Sequence, residues 1–136
     1  MIQLLLLLHV VVGGALLGAL THQSLSVARR PPTAPARGFV DRFRGVNSPT
    51  FTTAVVVLYA ASVVIGALLY PRYRIDVRPI LEDLQLRAAN GLFETKEHVA
   101  AVGLGLLPVY WVAWRRELAV AWASTRRNLT WILAGT

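Results

Sequence analysis

Uncharged apolar runs of membrane-crossing length alternate along this chain with blocks of charge, and no other feature limits its fold so strongly. Residues 1–21 carry no charged side chain, and 2–20 are apolar apart from Gln3 and His9. Residues 51–70 are again free of charge, and after Lys96, Glu97 and His98 a third run reaches Trp114 before Arg115 stops it. About 20 apolar residues let a helix cross the hydrocarbon. Hydrophobic residues make up 55% of the chain and charged ones 15%, so lipid is the natural solvent for these runs. A length of 136 residues leaves room for one domain. The expected fold is an all-α integral membrane protein. Three full transmembrane helices fall over about 2–21, 50–70 and 92–114, a partial fourth over 129–136, and a short amphipathic helix between the second and third.

The first run competes with a signal peptide. It lacks a basic leading region and an A-x-A site, and it is longer than the usual apolar core of roughly 7 to 15 residues, so it reads as a retained span. Its Gly14 and Gly18 form a GxxxG pair, and Gly13 lies four residues from His9 on the same helix face. The connection over 22–49 is basic, with Pro31, Pro32 and Pro35 forbidding regular helix and Phe39, Val40 and Phe43 set for a short interfacial helix. Ser48 and Pro49 suit the start of the second span. In the outer loop over 71–91, Pro79 can open the amphipathic helix and Asn90-Gly91 can close it. Pro108 is expected to bend the third span, and Gly103 and Gly105 to admit a close neighbour. Arg126 and Arg127 divide the final apolar stretch into an interfacial helix over 117–127 and the opening turns of an unfinished span. Asn128-Leu129-Thr130 matches a glycosylation sequon, but at or inside the membrane the match is accidental.

Charge sets orientation. The formal net charge of +7 divides into +4 over residues 22–50, zero over 71–97 and +3 from Arg115 onward. By the positive-inside rule the 22–49 loop is cytoplasmic in a cell-membrane protein, with the N-terminus and the 71–91 loop outside. No basic stripe interleaved with exposed aromatics occurs, so nucleic acid is not an expected partner. Membrane lipid is one, together with further copies of the chain or other membrane subunits.

Cysteine is absent, which excludes disulfides, thiol catalysis and Cys-ligated metals. Histidine occurs at 9, 22 and 98. His22, at the cytoplasmic end of the first span, reads as interfacial. His9 and His98 each lie seven residues into their spans, about 10 Å along the axis and on the same outer side. Two imidazoles at matching depth are the minimal axial ligand set for a haem, here haem b. Gly13 and Gly105 give each a small-residue face, Glu94 could orient His98 from the preceding turn, and Arg72, Arg74 or Lys96 could pair with propionates. The bland alternative is that both histidines serve packing and interface roles. Asp76, Glu82, Asp83 and Glu94 could hold a divalent cation, but arginines in equal number favour salt bridges.

The stretches LLHVVVGGALLGA and KEHVAAVGLGLL resemble the small helical membrane proteins related to copper-resistance D and to the J-type protoporphyrinogen oxidase. The resemblance implies a four-helix bundle with haem, His9 matching the first-helix histidine and His98, beside Lys96, the later site. The incomplete fourth span departs from that pattern. Two function classes stay open, a haem-binding redox or electron-transfer bundle and a non-enzymatic accessory subunit packed in a larger membrane complex. A small transporter or proton path through His9, Glu94 and His98 is a third. Haem requires both histidines to face one gap, whereas a packing subunit has exposed glycine faces and histidines pointing apart.

Overall fold

The structure, a computed structural model, describes residues 1–28, 48–115 and 122–136, apart from the side chains of 48–50. Every regular element among them is helical: α1 (Ile2–Ala28), α2 (Ser48–Arg72), a π-helical turn (Tyr73–Val77), α3 (Arg78–Asp83), α4 (Arg87–Arg115) and α5 (Ala123–Ala134). Two helical stretches, Ile2–Ala28 and Phe51–Asp83, are long and apolar enough to cross a membrane. Only 11% and 22% of their most apolar windows are buried, unlike the core helix of a water-soluble protein. Leu4, Leu7, Val10 and Leu17 on α1 and Val64 and Leu68 on α2 are more than half exposed, while Gln23, Thr52 and Thr130 are fully buried. Apolar side chains outside and polar ones between helices is the distribution that lipid as solvent favours.

Contacts between helices fix the topology. His9 meets Gly66 and His22 meets Phe51, so α1 and α2 are antiparallel. Tyr59 reaches Ala100 and Arg115 reaches Thr53, so α4 returns alongside α2. Trp114 bonds Thr130, and Tyr59 bonds Thr136, so α5 folds back down α4; it also packs on α1. The four helices form an up-down-up-down ring in the order α1, α2, α4, α5. With 12 residues against the 29 of α4, α5 spans about 18 Å. The buried core, including Leu20, Val55, Tyr59, Leu107, Tyr110 and Leu133, lies where all four helices are present.

Several expected boundaries move. α1 continues seven residues past Thr21 to Ala28, because no helix breaker precedes Pro31 and the polar side chains find partners on α2. Gln23 Nε2 donates to Thr52 Oγ1 at 3.2 Å. The His22 ring stacks on Phe51 with centroids 4.1 Å apart, so His22 is buried between α1 and α2. α2 opens at Ser48 as expected. The proline-rich stretch over 31–35 and the interfacial helix around 39–44 lie outside the described residues.

The expected outer loop over 71–91 is mostly a continuation of α2. Pro71 lies inside that helix, where it has no N–H to donate and its ring crowds the carbonyl four residues back. The ladder then widens, and the Arg78 N–H bonds the Tyr73 carbonyl five residues behind it, as in a π-bulge. Pro79 sits in the first turn of α3, as expected. The chain reverses at 84–86, not at Asn90-Gly91. Leu86 N–H bonds the Leu81 carbonyl at 2.8 Å and Gln85 N–H the Glu82 carbonyl at 3.0 Å, with Gln85 at a φ of 55°. This pair of bonds is a Schellman cap. Asn90 and Gly91 lie within α4, where the Asn90 side-chain carbonyl accepts from the Tyr73 hydroxyl at 2.8 Å.

The last segment also differs. α5 runs unbroken through Arg126 and Arg127, where the sequence led us to expect a division. Arg126, Leu129, Thr130 and Leu133 recur at helical spacing and are buried together. Trp114 Nε1 donates to the Thr130 hydroxyl at 3.1 Å, and that hydroxyl donates to the Arg126 carbonyl at 2.7 Å. Residues 116–121 lie outside the described residues.

Candidate functional site

Where α5 ends, the ring of helices opens. α1 and α4 face each other across a cavity of about 430 Å³, with α2 as its back wall and the end of α5 as its floor. The walls include small residues, Gly13 on α1, Ser62 and Gly66 on α2, Ala100 and Ala101 on α4, among larger ones such as Leu17, Phe93 and Leu104. A Cβ added at Gly13 would meet nothing within 4 Å, and one at Gly66 would rest in ordinary contact, 3.6 Å from His9 Cε1. Leu133 and Thr136 close the far end.

Tyr59 sets that floor. Its hydroxyl lies 3.2 Å from the Ala100 carbonyl and 3.0 Å from Thr136 Oγ1, and the Thr136 hydroxyl donates in turn to the Leu133 carbonyl at 2.9 Å. The phenol crosses to α4 over Gly103, whose missing side chain makes the approach possible; a Cβ there would collide with the Tyr59 hydroxyl and ring. The carbonyl it reaches belongs to the same turn of α4.

His9 lines the cavity, and its Nδ1 is enclosed without a hydrogen-bond partner among the described residues. Gly13, one turn on, lines it too, as the shared stripe predicts. His98 does not join them. At 100° per residue, Phe93, Glu97, Ala100 and Leu104 form the stripe of α4 that meets the cavity, while Glu94, His98 and Gly105 lie about 100° further round the helix. His98 is exposed, and its Nδ1 donates to the backbone carbonyl of Glu94 at 2.7 Å. The Glu94 carboxylate, expected as the group orienting His98, instead pairs with Arg78 at 3.3 Å. Gly105 is exposed with open space beside it. The two imidazoles therefore do not face one gap.

The cations expected near a haem are also engaged elsewhere or turned to aromatic rings. Arg72 pairs with Asp76 at 3.4 Å, and Arg78 with Glu82 at 2.7 Å. Arg74 lies 6.0 Å from the centre of the Tyr70 ring, and Lys96 lies 4.5 Å from that of Phe93. Asp76, Glu82 and Glu94 are thus paired with Arg72 or Arg78, and among the described residues no group of three or more His, Asp or Glu gathers around a point. Phe93 also stacks on Tyr73 with centroids 3.6 Å apart, tying the extended end of α2 to α4.

Sequence reasoning passed over Tyr59 and Gly66. A signal for Tyr59 was present, since a phenol in the middle of an apolar span must find a hydrogen-bond partner on a neighbouring helix. No family model, curated protein or solved structure matches the chain.

Proposed function

We propose that the chain is a non-enzymatic accessory subunit of a larger assembly in the cell membrane, crossing it with α1, α2 and α4, beside which α5 packs. Positive-inside counting puts residues 29–47 in the cytoplasm and the α3 hairpin outside. The observation that carries the reading is the arrangement of faces. His9 and His98 point apart, while Gly14 and Gly18 are exposed on α1 with no atom within 4 Å of an added Cβ. A pair of glycines one turn apart, facing outward, is a surface on which another helix can approach closely. The hairpin beyond it carries exposed Ile75, Ile80 and Leu84 beside its ion pairs, a second surface for a partner subunit. The haem expected from the resemblance would need His98 on the cavity side of α4.

Native electrophoresis of membranes solubilised in mild detergent tests this. The wild type should migrate in a complex larger than the monomer, and Gly14→Leu/Gly18→Leu should release it as monomer with an unchanged melting temperature. A monomeric wild type, or a double variant that stays in the complex, would overturn the proposal.

A further inference from the structure

We infer that the cavity between α1 and α4 is a binding site for a single-chain amphiphile with an uncharged oxygen headgroup, a hydroxyl or carbonyl on a long apolar tail. The inference stands apart from the accessory role, since the Gly14–Gly18 face lies outside the cavity.

Shape comes first. The lining runs from His9 to Leu20 on α1 and from Phe93 to Leu104 on α4, in each case about 16 Å of helix. At about 430 Å³ it lies in the range of small-molecule sites, roughly 300–1,000 Å³. A further helix, about 10 Å across with its side chains, would need the walls to part. An extended chain lies along such a slot without moving them.

Polarity follows the long axis. His9, Lys96 and Glu97 gather at the end farther from α5, because His9 is level with Gly66 and α4 begins its membrane stretch there. Leu16, Leu20 and Leu133 line the other end. Neither Lys96 nor Glu97 forms an ion pair among the described residues, and their opposite charges offset each other. An imidazole, an ammonium and a carboxylate together offer donors and an acceptor. A hydroxyl uses both kinds and a carbonyl the donors, whereas a fatty-acid anion would trade attraction to Lys96 against repulsion from Glu97 and a bare alkane would leave the polar groups idle. His9 is the recognising side chain, since its enclosed Nδ1 has no hydrogen-bond partner among the described residues.

The test is photolabelling of the full-length protein in nanodiscs with dodecanol bearing a mid-chain diazirine, beside the matching dodecane and laurate probes. Dodecanol should label residues of α1 and α4 along the cavity more strongly than either competitor. Gly13→Leu fills open space and should abolish the labelling; Ala101→Leu, on the opposite wall, is the second filling variant should the first fail to fold. His9→Leu should weaken dodecanol labelling about fivefold, the loss of one hydrogen bond, and leave dodecane labelling unchanged. Equal labelling by dodecanol and dodecane would remove headgroup recognition. Stronger labelling by laurate would contradict the uncharged headgroup, and labelling insensitive to both filling variants would place the probe elsewhere and overturn the site.

Discussion

Gly103→Ala is the substitution that tests the packing of this bundle most sharply. The new methyl would occupy space held by the Tyr59 hydroxyl and ring and would crowd the Thr136 hydroxyl. Tyr59 is 4% exposed and held by Ala100 and Thr136, so its ring can yield only toward the cavity it lines, at the loss of those bonds. Overpacking a filled site costs about 1–3 kcal/mol. Displacing the phenol also removes its bond to Ala100 or Thr136, at about 0.6 kcal/mol for a hydrogen bond between membrane helices. Set against the gain of about 1 kcal/mol that alanine brings over glycine inside a helix, the expected net destabilisation is about 1–3 kcal/mol. Gly105→Ala supplies the control, because an added Cβ there meets nothing within 4 Å, and its gain in helix propensity makes it neutral to about 1 kcal/mol stabilising. Thermal unfolding in detergent, followed by far-ultraviolet circular dichroism, reads both variants. Tyr59→Phe in the Gly103→Ala background should recover part of the loss, as residues in contact couple. Equal melting of Gly103→Ala and Gly105→Ala would refute the close crossing of α2 and α4 at Tyr59.

Two other changes probe the ends of the helices. Gln85→Gly relieves a non-glycine residue at a φ of 55° and should stabilise the hairpin by up to about 1 kcal/mol, read as slower amide exchange at 81–90; no change in exchange would count against the Schellman cap. Trp114→Phe removes the indole N–H that bonds Thr130 and should loosen α5 by about 1 kcal/mol, seen as faster amide exchange over 123–134 with α1 unchanged.

The helical class and the two long apolar spans were legible in the sequence because an uncharged run of such length has few other homes. The connections were harder to read. Pro71 and Gly91 look like terminators, yet a π-turn absorbs the first and the second lies inside α4. The reversal falls at Gln85, a residue with little turn preference, so nothing local marked it. Arg126 looked like a divider because an arginine is costly in lipid, but it turns inward on a face that α1 and α4 cover. At the candidate site, His9 and Gly13 were placed on one face by their four-residue spacing, and the structure keeps them on one cavity. His98 was matched to His9 by depth alone. Depth says nothing of rotation about the helix axis, and the rotation of α4 is set by Tyr59 over Gly103 and by Trp114 on Thr130, contacts between helices that no single run of sequence contains.

The proposal that this protein acts by packing, with His9 and His98 on separate faces, meets its most direct test in an absorption spectrum. Protein purified in detergent from haem-supplemented cells would be recorded oxidised and dithionite-reduced, alongside His9→Ala and His98→Ala. We expect no Soret band in any of the three. A Soret band that shifts on reduction in the wild type and disappears in both variants would place one haem between His9 and His98 and contradict the arrangement described.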